Sequence, residues 1–130
     1  MVAVTKTNIS IFPYTIVSAG GTKTNLPAEG AGAWINVTNY NGGLLGGRIK
    51  NRSAAPGVQG QMTWQWSADS DPTAAAAKIY DLWSFGGDTT ANSDTTASVP
   101  LPKEARFVRA ICYGHTTNLV AFESDLAASS

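Results

Sequence analysis

The side chains able to do chemistry are few. The 130 residues hold one histidine, His115, and one cysteine, Cys112. A Cys–His or Ser–His–Asp set needs the imidazole beside the nucleophile and a carboxylate to orient it. Cys112 and His115 are an odd number of steps apart, so on an extended chain their side chains face opposite ways. The chain also begins to turn there, at Gly114-His115-Thr116-Thr117-Asn118. A zinc site would need more His or Cys ligands than exist. Gly42-Gly43-Leu44-Leu45-Gly46-Gly47 lacks the Lys and Ser/Thr of a phosphate-cradling loop. Among the carboxylates, Asp69 and Asp71 flank Ser70 in one turn, while Asp88 and Asp94 lie in a second polar loop. Glycosidases need a carboxylate pair, and calcium uses such oxygens. The stretch lacks the glycine and closing glutamate of the twelve-residue calcium loop, and Asp in turns ordinarily bonds its own backbone. The expectation is a protein with no catalytic residue, no metal and no cofactor.

What remains is suited to binding. Trp64 and Trp66 share a face with Met62, so core packing is their ordinary role; the other is a stacking platform for sugar rings or for a partner's apolar patch. Trp34 opposes Ile35 in its strand, which makes it the leading candidate for an exposed interface aromatic. The glycine run Gly42, Gly43, Leu44, Leu45, Gly46 and Gly47 reads as a loop whose bare backbone lets a neighbour approach closely. With Trp34 it forms the expected interface. Arg109 sits in an otherwise apolar strand, where its charge must be paired or its head must reach water while its stem packs. Arg106 and Arg109 point to opposite faces, and a structural role is the expectation for both.

Charge narrows the partners. Lys plus Arg equals Asp plus Glu, nine of each, and charged residues make up 14% of the chain. A nucleic-acid binder carries a basic excess that releases counterions from phosphates, so no nucleic acid is expected. No window approaches the ~20 apolar residues of a membrane helix, and no signal peptide is read at the N-terminus. One cysteine cannot form an intrachain disulfide, and Cys112 in its apolar run reads as a buried small hydrophobe. The N-x-S/T patterns at Asn8, Asn36 and Asn51 read as chance in a Thr/Asn-rich chain.

The elements that position these residues are short strands. Gly20-Gly21, Gly42-Gly43, Gly46-Gly47, Gly86-Gly87, Pro56-Gly57 and Asp71-Pro72 break the chain often. Between them runs a two-residue period, the signature of half-buried strands. In 61–67, Met62, Trp64 and Trp66 face one way, and Thr63, Gln65 and Ser67 the other. In 32–40, Ala33, Ile35 and Val37 oppose Trp34, Asn36 and Thr38. The aromatic-rich 79–85 reads as a strand or a helical turn entering one, and 95–99 as a further strand closed by Pro100 and Pro102. The run 105–113 is nearly all apolar, as in a central strand covered on both faces, and is expected to pair as a hairpin with 119–126. Seven to nine such strands and no helical period predict a single-domain, all-β, antiparallel β-sandwich of jelly-roll type over residues 1–130. The first few residues and Ala127–Ser130 are expected to be loose.

Two stretches carry a family resemblance. Gly60-Gln-Met-Thr-Trp-Gln-Trp-Ser-Ala-Asp69 is a Trp-bearing strand ending in Ser-x-Asp. Pro102-Lys-Glu-Ala-Arg-Phe-Val-Arg-Ala-Ile-Cys-Tyr-Gly114 is followed by a polar turn and Leu119-Val-Ala-Phe-Glu-Ser124. Over residues 30–126 this order resembles small β-sandwich virion proteins of tailed bacteriophages, in particular head decoration (cement) proteins. The resemblance implies a virion structural protein on the capsid surface, made in the bacterial cytoplasm. Its implied partners are the major capsid protein and further copies of itself, as a dimer or trimer. The Ala-Arg-Phe-Val-Arg piece also resembles discoidin-like sandwiches, which bind sugars or lipids. A tail-fibre or baseplate module gripping a host glycan through Trp34 or loop aromatics is the alternative, as is a discoidin-like carbohydrate-binding module.

Overall fold

A computed structural model describes residues 6–17, 24–25, 34–57, 59–114 and 118–130. Its strands are β1 (Lys6–Val17), β2 (Thr24–Asn25), β3 (Ile35–Asn36), β4 (Gly43–Asn51), β5 (Gln61–Ser67), β6 (Tyr80–Gly86), β7 (Asp94–Leu101), β8 (Phe107–Gly114) and β9 (Val120–Ser129). They form two antiparallel sheets. The first has the order β1-β9-β4-β7; in the second, β8-β5-β6 is extended beyond β8 by the two-residue strands β2 and β3. If β2 and β3 are taken as one position, this is the strand order of a jelly roll. The fold class read from the sequence therefore stands: an all-β, antiparallel sandwich. Among the described residues no helix is long and apolar enough to cross a membrane.

The core follows from alternation. On β5, Met62 and Trp64 are fully buried. On β8, Val108, Ala110 and Cys112 point inward, and on β9 Val120, Phe122, Ser124, Leu126 and Ala128 do. On β1 a register irregularity around Phe12 turns both Ile11 and Phe12 into the core, as an extra residue in a ladder permits. The two sheets are also joined by polar atoms. The indole Nε1 of Trp64 donates to Ser124 Oγ at 2.9 Å, and Ser124 Oγ donates to the carbonyl of Gly46 at 2.8 Å. A buried indole N–H needs such a partner.

Several expectations are corrected. The stretches 105–113 and 119–126 do not pair as a hairpin: β8 lies in the second sheet beside β5, and β9 in the first between β1 and β4. Each is a central strand, and the segment joining them crosses from one sheet to the other. Gly43–Gly47, read as a loop, is the first half of β4, hydrogen-bonded to β9 on one side and β7 on the other. The alternation that runs through it is Leu45, Gly47, Ile49 and Asn51, all inward. Glycine is required at Gly47 because a Cβ there would lie 2.7 Å from Trp64 Cζ2. Gly42 and Gly43 have φ of +69° and +146°, values that favour glycine. The tail Ala127–Ser130 is not loose through Ser129: β9 continues to that residue, whose N–H donates to Gly42 O and whose carbonyl accepts from Asn41 N. Residues 1–5 lie outside the described residues.

Candidate functional site

An exposed aromatic surface lies along β6, an edge strand that pairs only with β5 among the described strands. Its placement depends on one irregularity. Trp64 pairs with Trp83 and Gln65 with Asp81, which leaves Leu82 without a partner on β5. In a regular strand Tyr80 and Trp83, three positions apart, would face opposite ways. The extra residue restores them to one side, beside the inward-facing Trp66 and Trp64 of β5. Tyr80 meets Trp66 at 5.0 Å between ring centroids. Trp83 stacks on Trp64 at 6.1 Å with planes 14° apart, and on Phe85 at 5.9 Å and 17°.

These rings are supported from behind and open in front. Trp64 is fully buried and fixed by its bond to Ser124, yet Trp83 is 43% exposed, Tyr80 45% and the adjoining Ile79 40%. Across the sandwich, β7 presents Thr95, Ala97 and Val99 inward, short side chains that are themselves only half-buried. The far rim of β6 is therefore thinly covered. The result is a strip of large, rigidly backed aromatic surface on the open edge of the molecule.

The outer face of the same sheet is mostly polar. Thr63 and Ser84 hydroxyls bond at 2.7 Å. Gln65 Nε2 donates to Asp81 Oδ1 at 2.7 Å, and Arg109 Nε donates to Gln65 Oε1 at 3.0 Å. The guanidinium carbon of Arg109 lies 4.3 Å above the Trp34 ring. Burial pulls the Arg109 guanidinium below the ordinary arginine range, with Tyr113 acting the other way. On the outer face of the other sheet a hollow of about 250 Å³ opens over Gly46, bordered by Arg48, Thr96, Glu123 and Asp125; Arg48 there is held by Asp94 through two nitrogens.

The residues singled out in the sequence fall as follows. Trp34 is half-buried and engaged with Arg109. Of the glycine run, Leu45 is fully buried and Leu44 is 50% exposed, with Gly46 flooring the hollow. Cys112 is buried, and burial pushes its thiol well above the usual value, so it stays protonated. His115 lies outside the described residues. The turn carboxylates are occupied locally. Asp69 accepts the Lys78 N–H, Asp71 the N–H and hydroxyl of Thr73, and Asp88 the N–H of Thr89 and Thr90. Among the described residues no group of three or more His, Cys, Asp or Glu is placed to hold a metal ion. Asn51, the third N-x-S/T asparagine, is 1% exposed, and its amide nitrogen is bonded to Asp88 O, Thr90 O and Ser93 Oγ, which excludes a glycan there in the folded state. Tyr80 and Trp83 were not singled out. The signal was the aromatic density of 79–85, but its parity is hidden by the bulge at Leu82.

No protein-family model matches the sequence, and no curated protein matches it significantly. Solved structures with a similar fold include the K3 cleaved adhesin domain of Lys-gingipain from Porphyromonas gingivalis W83, at 12% identity and a TM-score of 0.49, covering 75% of this chain and 59% of that one. The K1 cleaved adhesin domain of the same protein gives 13% and 0.47, covering 97% and 98%. A family 16 carbohydrate binding module gives 12% and 0.46, covering 88% and 74%. The chain thus spans less than two thirds of the first of these domains. At such identities and scores the likeness bears on neither family nor function.

Proposed function

We propose that this chain is a non-catalytic glycan-binding module whose ligand stacks along β6, on Trp83 and Tyr80. The observation that carries the reading is the pair of exposed rings brought to one side by the Leu82 bulge and backed by Trp64, Trp66 and Phe85. An aromatic ring offers a broad apolar face at low entropic cost, since only two side-chain torsions must be fixed. Here the backing rings hold Trp83 before any ligand arrives, which lowers the ordering cost further. The two rings sit opposite Trp64 and Trp66, two residues apart on a strand rising ~3.3 Å per residue, so they lie ~7 Å apart, enough to meet neighbouring rings of a saccharide chain. The side chains that form the strip are aromatic, which suits stacking and supplies no paired carboxylates.

The test is a screen of the purified chain against immobilised neutral and acidic polysaccharides, read by binding and by tryptophan fluorescence. The expected result is saturable binding to at least one glycan with a change in emission from Trp83. Binding to assembled phage capsids, with no glycan retained, would overturn it in favour of the shell-binding role implied by the sequence resemblance.

A further inference from the structure

The outer face of the β8-β5-β6 sheet carries a second feature, separate from the β6 strip. Arg109 is half-buried and stands in the middle of that face. Two contacts fix it: Nε bonds to Gln65 Oε1, and the guanidinium carbon lies over the Trp34 ring, 4.3 Å from its centroid. Gln65 is fixed in turn by Asp81. No carboxylate pairs with Arg109 among the described residues, and the ion pair present among them joins Arg48 to Asp94 instead. The bond to Gln65 uses Nε and leaves the two terminal amino groups to meet other partners. A half-buried cation with no carboxylate partner among the described residues is a costly arrangement.

We infer that Arg109 and Trp34 form a receptor for the carboxylate of an acidic sugar, distinct from the stacking strip on β6. The planar fork of a guanidinium matches a carboxylate with two parallel hydrogen bonds. One positive charge suits a monoanion. Its neighbours on that face are the Gln65 amide and, through it, the Asp81 carboxylate, with the Thr63–Ser84 hydroxyl pair further along the sheet; the amide and the hydroxyls are partners for sugar hydroxyls. This site stands whether or not the β6 strip binds glycan.

The experiment is titration of the full chain with trigalacturonate. It is followed by nuclear magnetic resonance at the Arg109 Nε–H and the Trp34 indole, with cellotriose, sulfate and a diacidic peptide as controls. Trigalacturonate is expected to shift both signals saturably, and Arg109→Gln is expected to weaken binding at least tenfold. Arg109→Lys, which keeps the charge and loses the fork, should weaken it by a smaller factor; circular dichroism and melting confirm that both variants fold. Trp83→Ala should leave this binding unchanged, which separates the site from the β6 strip. The inference is overturned if trigalacturonate leaves both signals unmoved, if Arg109→Gln binds as well as the parent, or if sulfate or the peptide binds as tightly.

Discussion

Trp83 and Trp64 are stacked neighbours with opposite duties. Trp83 is 43% exposed and ends no buried hydrogen bond, whereas Trp64 is fully buried and bonded to Ser124. Trp83→Ala is expected to weaken glycan binding by about tenfold or more, as loss of a binding anchor does, and to lower the melting temperature only slightly. Trp64→Phe should show the reverse emphasis. It removes the donor to Ser124 inside the core, a loss of about 1–3 kcal/mol in stability, measurable by urea unfolding. The acid side of stability has an identifiable contributor. The hydrogen bond from Arg48 holds the Asp94 carboxyl below its ordinary value. A carboxyl depressed in the folded state stabilises it above the unfolded value, and the contribution is lost as pH falls through the folded one. Asp94→Asn should therefore cost a little stability at neutral pH and nothing at pH low enough to protonate Asp94. Because the pair is exposed, the effect is small; chemical denaturation of both proteins across the acid range checks it.

The strands differ in how openly their sequences announce them. β5 was legible because Met62 and Trp64 alternate with Thr63 and Gln65, and both members of the first pair are fully buried. β7 was legible too, with Pro100 on an edge strand where a missing N–H costs little. β4 was not, since its glycines look like punctuation. Gly47 is instead the hole into which Trp64, Met62 and Phe85 pack. Gly47→Ala should overpack that contact and destabilise by about 1–3 kcal/mol, seen as a lower urea midpoint with an unchanged slope. The pairing of β8 and β9 was also hidden. Two apolar runs joined by a short polar turn suggest a hairpin, but apolar content records that a strand is central and not which sheet it is central to. The candidate site was lost for a related reason. Strand parity assigns Tyr80 and Trp83 to opposite faces, and only the unpaired Leu82 brings them together.

At the scale of the molecule, zero net charge leaves the two proposed sites to be told apart by salt. Stacking on β6 involves no ion pair, so neutral-glycan affinity should hold as ionic strength rises from ~0.05 to ~0.5 M, while carboxylate binding at Arg109 falls with the shortening Debye length. Calorimetry at the two salt concentrations separates them. The topology also bears on folding speed. Among the described strands only β5 and β6 are both consecutive and paired. Every other ladder joins distant segments, which places folding toward the slow, non-local end of the range, on the order of milliseconds to seconds.

That last property has a sharper form at β9. It is the latest strand to be synthesised of the nine, yet it fills the slot between β1 and β4 and supplies Val120, Phe122, Leu126 and Ala128 to the core. Until it leaves the ribosome the first sheet is split in two, and β1 has no strand to pair with. The molecule behaves like an arch closed by its keystone: the first sheet stands only once β9 has taken its slot. A chain stopped at residue 117 should accordingly stay unfolded by itself and recover its near-ultraviolet circular dichroism when a peptide of residues 118–130 is added in trans. In this way strand addition to an open sheet edge, a mode of partner recognition, becomes the final step of the protein's own assembly.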